Sequence, residues 1–473
     1  MNTTLILLLA YLAGLIGLGF WIGRRVDTTG GFFVANRRLS AVLLFSTVLA
    51  ANIGVGSTVG AASLGYRDGL AAWWWVGSAA VGTAILAVWI GPRIWRIASK
   101  NGLYTVGDYL EHRYGKSVRA IVTGLLWIAT PAALAAQLIA LAKILEFVAG
   151  VPEWAGILIG AIVMTAYFTA GGLLTSAWVN MVQLGVLVIG FAFAVPWALA
   201  AAGGWSAVVA AAPEAGDYLN FWRGGNSGWI ILALVAPNFI VSPGLIQKVY
   251  GAVDERAIRV GLGATAVALL VFAIGPPLFG MIARVYDPNL VDIEHALMVV
   301  LTAGLPTMVG SLGLAAVVSA EISSADAILF MLSTSLSKDL YKRFIRPDAS
   351  DAQVLTVARW AAVGGGALGV LLAVVLGSII TAISIFYALM AVCLFVPLVA
   401  GLYTRLAGVP EAMAACGVGV VTLISVELAG LSGSSTLLNP SALTVLLGIV
   451  ASAVAFAVVA AWRSSRTNRT PRT

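Results

Sequence analysis

"FSTVLAANIGVGSTVGAAS" occupies residues 45–63 of the chain. It begins and ends as an apolar helix, yet its middle carries Asn52, Gly54, Gly56, Ser57 and Thr58. Far downstream, "ILALVAPNFIVSPGLIQKVY" (231–250) shows the same anomaly with Pro237, Asn238, Ser242, Pro243 and Gly244. Glycine weakens a helix and proline removes a backbone donor. Unwound backbone at membrane depth is tolerated only against protein or a water-filled cavity. Interrupted helices at matching positions in two halves of opposite topology mark the central site of a transporter. Ordinary Gly/Pro kinks explain one such helix more readily than two at corresponding places.

Composition supports the membrane setting. The 473 residues are 60% hydrophobic and 10% charged, with a mean hydropathy of +1.00. Soluble domains carry about a quarter charged residues. A spanning helix needs roughly 20 apolar residues, whereas a barrel strand shows alternation over about 10. The fold class expected is therefore an all-α integral membrane protein. The net charge of +7 does not imply nucleic acid, because the basic residues sit in short loops between apolar runs. Cys393 and Cys416 lie in apolar runs and imply no disulfide framework, while His112 and His295 stand apart from them, so no metal cluster of that kind is expected. No hydrolase elbow or phosphate loop is present, so an enzyme is the least favoured class.

The apolar runs predict thirteen helices, near 4–23, 41–64, 69–98, 117–149, 152–170, 173–202, 228–250, 257–284, 309–337, 353–378, 379–403, 409–430 and 441–462. With the N-terminus outside, all but four of the 27 Lys and Arg residues fall on the inner side. The exceptions are Arg67, Arg223, Arg284 and the intramembrane Lys143. That bias sets the orientation, with the C-terminus cytoplasmic, in the cell's inner (plasma) membrane. The N-terminal apolar run is too long for a signal peptide and reads as a true span. "NGLYTVGDYLEHRYGKS" (101–117) is too polar to cross and reads as an amphipathic cytoplasmic helix. Spans two to six and seven to eleven form two sets of five with opposite topology. The organisation expected is one membrane domain: an extra helix 4–23, a first inverted repeat 41–204, a second 228–405, two further helices within 409–462, and a cytoplasmic tail 463–473.

"SAEISSADAILFMLSTSLSKDL" (319–340) is the other unusual span. At 100° per residue, Ser319, Ala320, Ser323, Ser324 and Ala327 share a face, with Asp326 at its edge, and Ser333, Thr334 and Ser337 continue it. Hydroxyls and a spare carbonyl brought to one point suit a hard cation. Without full charges such a cage binds weakly, as a transported ion requires. The alternative is that these serines bond their own helix and allow tight packing. An acid at mid-membrane usually marks a pathway or relay. Asp326 is accordingly expected in an accessory cation or proton role. Glu321 points nearly opposite to Ser323 and needs its own partner, for which Lys143 is a candidate.

These segments together resemble the sodium:solute symporter family, with its five-plus-five inverted-repeat core like that of the leucine transporter. "GLYTVGDYLEHRYG", "YFTAGGLLTSAWVNMVQ" (167–183), "PGLIQKVYGAVDERAIRVG" and "SAEISSADAILFMLSTSLSKDLYKR" carry the likeness across nearly the whole chain. The resemblance implies Na+ as coupling ion, with carbonyl ligands from Ala50 and Ile53 of "AANI" and the remainder from Ala320, Ser323 and Ser324. The family often has Trp-Thr-Asp after its Gly-Gly turn, where this chain has Trp178, Val179 and Asn180, an amide in place of an acid. Its usual Gln-Arg is here Gln247-Lys248, which keeps the charge but loses the bidentate fork. "SSAD" and "ASDAQ" also resemble the choline-transporting branch. A quaternary ammonium wants an aromatic cage, and Asn52 and Ser242 stand where two of its aromatics align, which disfavours choline.

The expected function is sodium-coupled symport of a small organic solute by alternating access. Ser57, Thr58, Trp74, Ser78, Asn238 and Ser242 are the expected solute contacts, and Asp326, Glu321, Lys143 and Asn180 the accessory cation or proton group. A helix N-terminus at the break favours an anionic group, so a monocarboxylate or amino acid is the first choice of cargo. The partners implied are the solute and membrane lipid, with no obligatory protein partner. A proton-coupled symporter and a transporter-fold sensor without net transport are the alternatives.

Overall fold

The computed structural model describes residues 33–169, 173–213, 217–224, 228–406, 408–429 and 440–467, together with scattered positions between 6 and 21. Most of the expected 4–23 helix and the end of the 463–473 tail lie outside the described residues.

Both anomalous stretches are broken helices. Ser40 caps Ala41–Asn52 by accepting a hydrogen bond from the Leu43 amide. The helix stops at Ile53, which has φ −98° and ψ 94°, and Gly54 follows in an extended conformation. A single short turn, Val55–Ser57, leads to Thr58 and then to the second half, Val59–Asp68. Gly54 is required by contact as much as by flexibility, because a Cβ there would sit 2.3 Å from Ser324 Oγ. The second broken helix runs Leu232–Val241, opens at Ser242 with ψ 122°, and resumes as Pro243–Tyr250. Pro243 has no N–H to give the preceding turn, so the break falls where the sequence places it. The start of the first broken helix and the end of the second are stitched by a parallel bridge between Leu39 and Ala252.

Ten described helices are long and apolar enough to cross a membrane, rather than the thirteen expected. The difference has three sources. The break leaves Ala41–Asn52 only 12 residues long, and the apolar run from Val55 turns and continues to Asn101. Glu153–Thr169 is short of a full window, and the first helix is mostly outside the described residues. Gly69, at φ +67°, makes the turn after the first broken helix, close against the Tyr218 carbonyl. Val106–Tyr114 forms the expected polar helix, with a capping box from Thr105 and Asp108. One short helix, Ala296–Ala303, has no counterpart among the predicted spans, because eight apolar residues are too few to register as one.

Thr307–Thr334, the serine helix, lies at the centre, packed against Leu173–Ala201, Lys116–Ala149 and the first broken helix. In its most apolar window 89% of residues are buried, against 33% for Asp351–Leu376. A helix so enclosed can carry serines and acids, since protein replaces lipid around it. It continues as a π-helix from Ser335 to Ile345.

Candidate functional site

The break in the first helix frees backbone groups that side chains answer. Val55 N donates to Gln137 Oε1 at 3.3 Å, and Ser57 Oγ donates to the Asn52 carbonyl at 2.8 Å. The carbonyls of Ala50 and Ala51 face the serine helix. Ser323 Oγ donates to Ala50 O at 2.9 Å and lies 3.1 Å from its own Ala320 O. Ser324 Oγ reaches Ala51 O at 3.2 Å and Ala50 O at 3.5 Å. Gly54, next to Ile53, packs on Ser324. Carbonyl and hydroxyl oxygens from two helices therefore converge on one buried point. A hydroxyl is donor and acceptor at once. Each serine can turn a lone pair inward for a cation and release the carbonyl it now holds.

Other hydroxyls of the serine face are occupied elsewhere. Ser319 Oγ shares a 2.6 Å hydrogen bond with Tyr11 of the first segment. Ser333, Thr334 and Ser337 bond carbonyls of their own helix.

Against the converging oxygens lies a cavity of about 90 Å3. At roughly 10–15 Å3 per water it has room for on the order of half a dozen heavy atoms. Ser57, Asn238 and Ser242 line it, as do Gln137, Lys248 and Ser324. One wall is aromatic: Phe239 and Phe386 flank Tyr387 with ring centroids 6.0 and 5.7 Å away. Asn238 is held by its amide, which donates to Leu234 O and Tyr387 O at 2.9 and 2.8 Å. Its Oδ1 is buried without a partner among the described residues.

Three expected solute contacts do not reach this cavity. Thr58 is buried behind the break, hydrogen-bonded to Gly54 O and Glu321 Oε1. Ser78 is enclosed with no described partner. Trp74 belongs to an aromatic cluster away from the cavity with Trp73, Phe221 and Trp222, and its Nε1 donates to Phe221 O at 3.0 Å. The chain around 217–224 draws Trp74 outward. Trp75 is the inward member of the triple, 6.1 Å from Tyr387 by ring centroids.

The accessory group also divides. Lys143 does not meet Glu321. Its ammonium sits 2.5 Å from Asp292 and 3.5 Å from Glu294, in a connection between two of the predicted spans. Burial pushes Asp292 up, but Lys143 and the Glu294 amide outweigh it and hold its carboxyl below the usual value. Glu294, more enclosed, is raised by its burial. Glu321 is fully buried, with Thr58 as partner to one oxygen and none described for the other. Asp326 accepts a hydrogen bond from Ser176. Asn180 Nδ2 reaches both Ser176 Oγ and Thr47 Oγ1 at 3.3 Å, and the Lys248 ammonium donates to Thr47 O at 2.7 Å. Asp326, Ser176, Asn180, Thr47 and Lys248 thus form one chain of polar groups behind the cavity.

Gln137, Lys248 and the aromatic wall were not expected at the site. Gln137 had a signal, as a lone amide in an otherwise apolar stretch. Phe239, Phe386 and Tyr387 had none, since aromatics in a membrane helix look alike in a sequence.

Residues 32–419 match the family model described as the sodium:solute symporter family. The chain is 26% identical over 408 residues to the sodium/glucose cotransporter of Vibrio parahaemolyticus, covering 78% of this chain and 74% of that protein. It is 29% identical over 439 residues to the sodium/pantothenate symporter of Escherichia coli K12, covering 88% of each. To the high-affinity choline transporter 1 of Caenorhabditis elegans it is 25% identical, over 85% of this chain and 74% of that one. Among solved structures, a Na+-coupled sialic acid symporter in a substrate-bound outward-open state superposes with a TM-score of 0.81. That likeness covers 97% of this chain and 98% of the other at 19% identity, and it carries the fold.

Proposed function

The chain belongs to the sodium:solute symporter family, and from that premise we propose how its centre couples sodium entry to uptake of a small organic solute. It is a multi-pass membrane transporter rather than an enzyme, with the five-plus-five core of the leucine-transporter type. Sodium, as co-transported cargo, binds between the carbonyls of Ala50 and Ile53 and the oxygens of Ala320, Ser323 and Ser324. The solute occupies the adjoining cavity, where it meets Ser57, Asn238 and Ser242. The observation that carries this reading is that Ser324 belongs to both: it touches the Ala50 and Ala51 carbonyls and also lines the cavity. An ion drawing Ser324 and the first broken helix together reshapes the wall that the solute contacts. The repeats 41–204 and 228–405 are the units that rock about this centre, in a plasma membrane with the N-terminus outside. The cargo is a monocarboxylate or an amino acid, since the second broken helix presents its N-terminus to the cavity.

The test is uptake by the Ser323→Ala/Ser324→Ala double variant in proteoliposomes across a sodium series. The expected result is a sodium half-saturation moved up by an order of magnitude or more, with the protein still folded. An unchanged sodium curve removes the site.

A proton-coupled reading has its own support in Glu321 and Asp326, two buried acids beside the same centre. Asn180 stands next to Asp326 through Ser176, so an accessory cation there relies on Asp326 alone for charge. Uptake driven by a pH gradient in sodium-free medium would establish that alternative.

A further inference from the structure

Among the described residues lining the central cavity, Lys248 is the only charged one. It is 1% exposed. An ammonium carries three N–H donors, and one described hydrogen bond uses them, to Thr47 O. Among the described residues no ion pair within 4.0 Å includes Lys248. Asp326, the nearby acid, accepts the Ser176 hydroxyl and faces Lys248 only at longer range. A buried cation with open donors is costly unless something completes it.

Its position says what completes it. Gly244 and Lys248 are four residues apart in Pro243–Tyr250 and share a face. Side chains on a helix tilt toward its N-terminus, so Lys248 leans toward the Gly244 end. The first helical amides have no intrahelical partner. Here the described backbone bonds of the turn begin with Ile246 N to Ser242 O, which leaves Gly244 and Leu245. Both line the cavity, and a Cβ on Gly244 would find its nearest neighbour 3.9 Å away. Gly244, Leu245 and Lys248 thus border the cavity from one short helix. Opposite them stand Phe239, Phe386 and Tyr387, with no Asp or Glu among the lining residues to receive a second, cationic group.

We propose that the cargo is a small monocarboxylate anion, held by the Lys248 ammonium and the Gly244 and Leu245 amides, with its apolar body against the aromatic wall. This rests on the cavity being the solute site, and it separates the two cargo classes left open above. An amino acid brings an ammonium that meets no acid here, and a quaternary ammonium meets the wrong charge.

The test is a thermal-shift series on the purified full-length protein in sodium. The probes are acetate, butyrate and benzoate, the neutral amide of each, and 2-aminobutyrate. At least one carboxylate is expected to raise the melting temperature where its amide and 2-aminobutyrate do not. Lys248→Gln should weaken that carboxylate roughly tenfold to a hundredfold, and Lys248→Arg should retain part of the affinity. The shift given by sodium alone should persist in Lys248→Gln, which shows the variant folded. Stabilisation by the amides or 2-aminobutyrate but by no carboxylate overturns the proposal. So does a series in which nothing shifts, or a Lys248→Gln protein that binds the carboxylate like the parent. Carboxylate binding with no response to sodium leaves this proposal standing and removes the symport reading instead.

Discussion

Gly54 shows how one missing carbon supports the centre. A Cβ at 2.3 Å from Ser324 Oγ cannot be accommodated without moving that hydroxyl or the broken segment. Gly54→Ala should therefore cost about 1–3 kcal/mol of stability and, more tellingly, abolish the stabilisation that sodium gives, read by melting with and without the ion. A variant that keeps its sodium response would separate the break from ion binding. Glu111 offers a second residue-level test. Burial pushes its carboxyl up, but the guanidiniums of Arg343 and Arg119 hold it below the usual value. A depressed acid stabilises the fold above its unfolded pKa, and that share is lost as pH falls through the folded value. Arg343→Gln removes one of the two holders. As pH falls below the ordinary carboxylate range, melting temperatures of parent and variant should draw together, while at neutral pH the variant melts lower. A gap that stays constant with acidification would show that the pair contributes nothing electrostatic.

At the scale of elements, Arg119 ties Val106–Tyr114 to the π-helical continuation of the serine helix. Its guanidinium lies 2.9 Å from Asp108, 2.8 Å from Glu111 and 2.6 Å from Asp339. Removing it leaves three enclosed carboxylates facing one another, and breaking a buried pair costs about 3–5 kcal/mol. Arg119→Met should lower the melting temperature sharply, whereas Arg96→Met, whose partner Glu255 is at the surface, should change it little. Equal effects would contradict this account. These ties also mark where sequence reading stops. The breaks at Asn52 and Ser242 were legible because Gly, Pro and Asn act locally. Ser323 and Ser324 were legible because helical period alone puts them on one face with Ala320. The partner of Lys143 was not, because Asp292 comes from a segment about 150 residues away in the chain with no spacing to announce it. Trp74 failed for a related reason. Three consecutive tryptophans point in different directions, and only the loop folded over Trp74 decides which one faces out. Lys248 was visible as a charge, but its place on the cavity depended on where the second break aimed its helix.

For the whole molecule, symport means that the two cargoes assist each other by one shared factor. Whatever factor sodium adds to solute affinity, the solute must add to sodium affinity. Equilibrium binding of each at fixed concentrations of the other should return a single coupling constant, and unequal factors would show that a further state or ion has been missed. Orientation can be tested on the intact cell. Asn220 and Asn101 are both exposed, while the native Cys393 and Cys416 are buried and should not react. A membrane-impermeant thiol reagent should label Asn220→Cys and spare Asn101→Cys, and the reverse pattern would invert the topology. The serine helix links these scales in one further way. Past Thr334 it takes up π winding as far as Ile345, and each π turn holds one residue more than an α turn. Forcing that stretch into α winding without removing a residue would swing Asp339 round by on the order of 100°. The rod would then be out of phase, its Ser323–Ser324 half still aimed at the first broken helix while its Asp339 half missed Arg119. The surplus of amino acids in those turns works like the offset between two keys cut on one shaft, each aligned to a different lock.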